Sequence, residues 1–137
     1  MSPLPAEATV LVVEDQPDNL LVAEILLRED VGVRECLGAR SADAAFALAA
    51  TAPPIDLVLL DLQMPGEDGF TALGRLRRDP RFGQARIIAL TALVMASDVE
   101  RARRAGFEGF IGKPIDIDRF PGQIRRALAG EPVWEPQ

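Results

Sequence analysis

The chain has 137 residues, of which 48% are hydrophobic and 26% charged, with a net charge of −6 and no histidine. That length fits one domain with a core of its own, and the acidic balance argues against non-specific nucleic-acid binding, which needs lysine and arginine to neutralise phosphates. Without histidine there is no imidazole base, His-based triad or His-ligated zinc, and the single cysteine, Cys36, allows neither an internal disulfide nor a thiolate metal cluster.

The first residues, MSPLPAEATV, lack the basic start and apolar stretch of a signal peptide. No apolar run approaches the roughly eighteen residues of a membrane span, so the cytoplasm is the expected compartment and no membrane partner is expected. Residues 10–13, VLVV, read as a first strand, followed by a helix that Asp18 and Asn19 can cap and in which Glu24 and Arg28 form an i,i+4 pair. Residues 31–36 are a weaker strand candidate. Ser41 opens an alanine-rich second helix that Pro53 and Pro54 end, and residues 57–60, LVLL, form the next strand. A third helix runs over Gly69–Arg78, with Phe70, Leu73 and Leu76 at helical spacing and a stop at Asp79-Pro80. Residues 87–90 form a strand, Ser97 and Glu100 a capping box for a fourth helix, and residues 107–111 a less regular strand. The fifth helix is expected over 117–129, with Pro121 in or near its first turn. The arginines at 75, 77 and 78, and those at 101, 103 and 104, read as solvated helix faces.

Unbroken apolar strands alternating with helices are the pattern of a parallel sheet covered on both sides. Five strands and five helices joined by right-handed crossovers give a doubly wound α/β domain over 9–129. The proline-rich ends, 1–8 and 130–137, are expected to be loose, with Trp134 packing back onto the domain.

In such sheets the functional crevice lies outside the carboxyl ends of the strands. Glu14 and Asp15 follow the first strand, Asp61 ends the third in DLVLLDLQMPGEDGF, Thr91 ends the fourth, and Lys113 lies just beyond the fifth. Each alone is an ordinary turn residue, and Asp61 alone reads equally as turn residue, metal ligand or nucleophile. Together, three carboxylates and one ammonium leave about two uncompensated negative charges in a small cleft. A divalent cation would compensate them, and hard oxygen ligands select Mg²⁺ or Mn²⁺ over zinc.

Glu14-Asp15, Asp61 in LLDLQMPGEDG, Thr91-Ala92 and Lys113-Pro114, in this order over residues 9–128, resemble the response-regulator receiver domains of two-component signalling. The stretch TALVMASDVERARRAGFEGFIGKPID is most similar to stand-alone, chemotaxis-regulator-like and phosphorelay receivers. The resemblance implies a flavodoxin-like strand order 2-1-3-4-5. It implies that Asp61 accepts a phosphoryl group from a histidine kinase or histidine phosphotransfer protein. Mg²⁺ would be held by Asp15, Asp61 and the Gln63 carbonyl, with Glu14 acting through water. By the same resemblance Lys113 pairs first with Asp61 and then with the phosphate, Thr91 donates its hydroxyl, and the Ala92 amide adds a hydrogen bond. Thr91 and Phe110 are then the switch pair, and the face of the fourth helix, fifth strand and fifth helix is read by a downstream protein target. Two positions depart from the common pattern: Glu14 stands where many receivers have Asp, and Phe110 where tyrosine is frequent.

Rival readings are weaker on the residues themselves. A haloacid-dehalogenase-type phosphohydrolase wants a second acid two residues after its nucleophile, where this chain has Gln63, and it needs extra motifs for which there is no room. A flavodoxin-type flavin carrier wants a hydroxyl-rich phosphate loop after the first strand, where EDQPDN would repel a phosphate. A receiver-like binding module that is never phosphorylated is the remaining alternative; the complete acid, threonine and lysine set argues against it.

Overall fold

The computed structural model describes residues 2–137 as a parallel sheet of six strands with helices on both faces. β1 (Thr9–Val13), β2 (Glu35–Ala39), β3 (Leu57–Leu60), β4 (Arg86–Thr91), β5 (Phe110–Gly112) and β6 (Trp134–Glu135) lie in the order β2-β1-β3-β4-β5-β6. The expected order 2-1-3-4-5 is therefore present, and the expected count of five strands is corrected to six. The extra strand comes from the segment 130–137, expected to be loose. Trp134 and Glu135 pair in parallel with Phe110 and Ile111. At the other end, Pro5–Glu7 makes one 3₁₀ turn and Ala8 is fully buried.

Five α-helices cover the sheet: α1 (Pro17–Ile25), α2 (Ala42–Ala49), α3 (Gly69–Arg78), α4 (Ala96–Ala105) and α5 (Phe120–Leu128). Strand side chains alternate between faces, so each strand feeds two separate cores. Leu11, Val13, Val58, Leu60, Ile87, Ala89 and Phe110 pack under α2, α3 and α4. Val10, Val12, Leu57, Leu59, Ile88, Leu90 and Ile111 pack under α1 and α5. All fourteen are buried on the strength of having no polar partner to lose, which is why the central strands read as continuous apolar runs.

Several boundaries differ from the sequence expectation, each for a local reason. β2 lies at Glu35–Ala39 rather than 31–36. Val31 instead closes a widened turn, Leu26–Val31, that prolongs α1 until Gly32 adopts a left-handed φ of 76°. α1 starts one residue earlier than its expected caps, with Pro17 at its first position, where a missing N–H costs nothing. At α4 the amide of Met95 donates to the Asp98 carboxylate at 3.0 Å, which replaces the expected pairing of Ser97 with Glu100. α5 begins at Phe120, and Pro121 falls in its first turn as its ring requires. Ser41 and Asp68 cap α2 and α3 by accepting from Ala44 and Thr71. No helix among the described residues is long and apolar enough to cross a membrane.

Candidate functional site

From β1 the chain runs outward to β2 and then back past β1 to β3, so the β1–β3 junction is where strand order reverses and where a crevice must open. Val13 pairs with Leu60, which makes Glu14 and Asp61 leave the sheet side by side. The Asp61 amide donates to the Val13 carbonyl at 3.2 Å, and the Glu14 amide to that of Ala39 at 2.9 Å. Lys113 arrives from the other side. Gly112 pairs with Thr91, and the Lys113 amide donates to the Thr91 carbonyl at 2.8 Å.

The side chains converge as a charged cluster. Lys113 Nζ donates to Asp61 Oδ2 at 2.9 Å and also to Glu14 Oε1. Glu14 and Asp61 are only 2% and 4% exposed, so both charges sit largely out of water. Asp15, half-buried, completes a set of carboxylates whose nearest oxygens all lie within 4.8 Å of one another. The remaining oxygens are held by the chain: Gln63 N donates to Asp61 Oδ1 and Gln16 N to Glu14 Oε2, both at 3.0 Å, and Gln16 Nε2 reaches Asp15 at 3.2 Å. Burial raises the Glu14 carboxyl above its ordinary range, against the opposing pull of Lys113 and the Gln16 amide. Burial also pulls Lys113 down, but its bonds to Asp61 and Glu14 outweigh that and hold the ammonium above its usual value.

A cleft of about 440 Å³ opens over this cluster, lined among others by Asp15, Asn19, Asp61, Gln63, Ala92 and Lys113. Glu14, bonded to Lys113, is buried beside it. Thr91 is fully buried at the end of β4, and its Oγ1 accepts from the Leu93 amide at 3.2 Å, which leaves the hydroxyl proton free. Phe110 is wholly buried on the α4 side of β5. The structure thus gathers Glu14, Asp15, Asp61 and Lys113 into contact range and sets Gln63 and Ala92 on the cleft wall, with Thr91 buried at the end of β4 and Phe110 in the core on the α4 side.

Two features were not legible as site residues. The double engagement of Lys113 with Glu14 as well as Asp61 depends on the β1–β3 register, which sequence spacing does not give. Gly69 is the second. A Cβ there would overlap the Asp61 carbonyl oxygen and stand 2.7 Å from Leu62 Cα, so only glycine lets α3 begin against the backbone of the Asp61 strand end. The signal was the DG pair at the start of the third helix.

Comparison with known proteins agrees with this geometry. Residues 10–125 match the response regulator receiver domain family. The polar-differentiation response regulator DivK of Brucella ovis is 34% identical over 88% of this chain and 95% of its own. The signal transduction histidine-protein kinase BarA of Escherichia coli is 33% identical over 91% of this chain but only 13% of its own length. Among solved structures, the receiver domain of sensor histidine kinase PA1611 of Pseudomonas aeruginosa, with magnesium coordinated in its active-site cleft, superposes with a TM-score of 0.75 at 29% identity, covering 92% of this chain and all of that one. The chemotaxis response regulator CheY4 of Vibrio cholerae shares the fold, with a TM-score of 0.77 at 24% identity over 88% of this chain and 98% of its own. With the acidic cleft at the strand-order reversal, the conclusion is that this chain belongs to the response regulator receiver domain family.

Proposed function

We propose that Asp61 accepts a phosphoryl group from a phosphohistidine donor, a histidine kinase or a histidine phosphotransfer protein, and that the chain acts as a phosphorylation-controlled signalling switch. One observation carries this reading: Asp61 is a carboxylate at the floor of a cleft, paired with Lys113 and crowded by two further carboxylates within 4.8 Å. A carboxylate is a weak nucleophile, but phosphoryl transfer demands mostly positioning and charge neutralisation. In the step, an O–P bond to Asp61 forms as the donor's P–N bond breaks, and the electron pair stays on the departing imidazole nitrogen.

The donor set fits a hard divalent cation. The cluster has one ammonium for three carboxylates, all ligands are oxygens, and the only thiol, Cys36, is buried away from them. Asp15, Asp61 and the Gln63 carbonyl would hold Mg²⁺, with Glu14 acting through water, and Mn²⁺ is the alternative ion. When bound, the ion neutralises phosphoryl oxygens. Lys113 supplies the second positive charge, exchanging its bond to Asp61 for one to the phosphate. Thr91 donates its free hydroxyl proton to the phosphoryl group, and the exposed Ala92 amide adds a further donor. The acyl phosphate brings nearly two negative charges to the cleft, which is the signal that must reach the surface. Phe110, the first residue of β5, moves with Thr91, and the α4–β5–α5 face is the surface a downstream protein reads. Catalysis is confined to phosphoryl uptake from donors and its loss to water.

Intact-mass spectrometry after incubation with acetyl phosphate tests the reading. The expected result is a Mg²⁺-dependent gain of one phosphate that Asp61→Ala abolishes. No gain from either acetyl phosphate or a phosphohistidine donor, with a control regulator phosphorylated alongside, overturns it in favour of an unphosphorylated binding module.

A further inference from the structure

A strand at the edge of a sheet offers an unfilled row of backbone donors and acceptors that invites another strand. On β5 the chain fills that row itself. Phe110 N donates to the Val133 carbonyl at 2.7 Å, and Phe110 and Ile111 pair with Trp134 and Glu135. The side chains alternate across the edge as a strand's must. Val133 is fully buried on the α5 side. Trp134 turns to the α4 side, where the Arg103 guanidinium stands 4.1 Å from its ring centre. Glu135 returns to α5, where Arg126, Arg119 and Gln123 donate to its carboxylate at 2.6, 2.9 and 3.0 Å. Gly112 completes the seat: a Cβ there would overlap the Pro136 carbonyl oxygen.

Two helices and a strand therefore read one short aliphatic–aromatic–acidic segment, residue by residue. The pairing is also self-limiting. Pro132 and Pro136 bracket it, and neither has an N–H with which to extend the ladder. Only two residues pair, whereas the other strands have three to six.

We propose that residues 131–137 are a cis-acting plug on the α4–β5–α5 edge, and that a protein partner engages this face with an extended aliphatic–aromatic–acidic segment that replaces the plug strand for strand. Strand addition of this kind draws affinity from main-chain bonds and specificity from alternate side chains. The plug lowers the partner's apparent affinity by the fraction of molecules in which it is seated. That a partner reads this face rests on the function proposed above, while the seating of the plug does not, and it is tested here without metal or phosphate.

A segment on a short tether has an effective concentration of about 1 mM, so a plug seated most of the time must bind in trans with Kd below about 1 mM. The test titrates a fluorophore-labelled peptide of residues 131–137 with the chain ending at Gly130 and with the full chain. Saturable binding to the shortened chain is expected, at least about twofold weaker binding to the full chain, and none by a peptide carrying Glu135→Lys. In the full chain, Glu135→Lys should release the plug and recover peptide binding. Trp134 is the only tryptophan and there is no tyrosine, so intrinsic emission reports the seat directly. In that variant it should shift to the red and become open to acrylamide quenching, with far-UV circular dichroism unchanged. Equal peptide binding by shortened and full chains overturns the proposal, as does no saturable binding by a folded shortened chain at about 1 mM. Should the shortened chain fail to fold, the full-length Glu135→Lys variant decides: unchanged emission and no peptide capture overturn it.

Discussion

Replacing Asp61 by Asn should make the metal-free protein more stable, although it breaks an ion pair. At an effective dielectric of about 20, the 2.9 Å contact with Lys113 is worth about 6 kcal/mol of attraction. Repulsion from Glu14, within 4.8 Å, is about 3.5 kcal/mol on the same scale, and the half-exposed Asp15 adds about 2. These sums nearly cancel, so the desolvation of a charge on a side chain only 4% exposed decides the sign. Asn keeps an oxygen for the Gln63 amide, Lys113 keeps Glu14, and the new amide N–H can turn to the Glu14 and Asp15 carboxylates close by. The net expectation is a gain of about 1–2 kcal/mol, or roughly 3–6 °C in Tm for a domain of this size. Wild type should gain about 1.4 kcal/mol from Mg²⁺ at tenfold its Kd, and the variant little. Thermal unfolding in chelator and in millimolar Mg²⁺ measures both. A metal-free Tm below that of wild type, or an undiminished Mg²⁺ response, would refute this charge balance.

Three further outcomes follow from contacts at and away from the cleft. Lys113→Ala leaves Glu14 and Asp61 buried without a cation, so metal-free stability should fall by about 2–4 kcal/mol and be partly restored by Mg²⁺; melts indistinguishable from wild type would make Lys113 an ordinary loop residue. Gly69→Ala should cost about 2–3 kcal/mol in urea unfolding, because backbone on the Asp61 strand end cannot yield, whereas Gly74→Ala in the same helix meets open space and should stabilise by about 0.5–1 kcal/mol. The hydrogen bond from Arg126, and then that from Gln123, holds the Glu135 carboxyl down at about 2 instead of 4.5. Because the folded value is the lower one, its stabilisation is complete above about pH 4.5 and lost as pH falls toward about 2. Direct conversion gives about 3 kcal/mol, which screening of the solvent-facing arginines reduces to about 1. Trp134 emission should follow that loss in wild type and be flat across the same window in Glu135→Gln.

What could be read in advance divides along physical lines. β1, β3 and β4 were visible because both of their faces are buried, which leaves no room for polar residues in LVLL or in VLVV. β2 was misplaced because ECLGA, flanking β1 on one side only, is half-exposed and carries no apolar run. Val31 drew the expectation toward itself although its burial belongs to the helix end. β6 was invisible: two residues between prolines have no period to detect, and their burial depends on Arg103, Arg119 and Arg126 waiting on other elements. The cleft residues were legible from position alone, since each follows a strand, and the doubly wound topology sends those ends to one rim. The pairing of Lys113 with Asp61 came from the resemblance, whereas its second bond, to Glu14, was not legible. Lys113 lies 99 residues from Glu14 and 52 from Asp61, and only strand register makes Glu14 its partner.

β5 is the element on which these two regions meet. Its last residue, Gly112, is the seat of Pro136, and the next, Lys113, is the only cation bonded to the acidic cluster among the described residues. Phe110 contributes its side chain to the core beneath α4 and its amide to the Val133 carbonyl. With only three residues in β5, a displacement of its Gly112 end is expected to carry Phe110 with it. A ligand that redraws the bonds of Lys113 and thereby displaces β5 would act on the strand that carries β6. Coupling of this kind is reciprocal: whatever factor cleft occupancy imposes on the seating of residues 131–137, that seating imposes on the affinity of the cleft. If cleft occupancy displaces β5, the edge strand and the acidic cleft are one device, and the cost of moving β5 sets the size of the coupling between them.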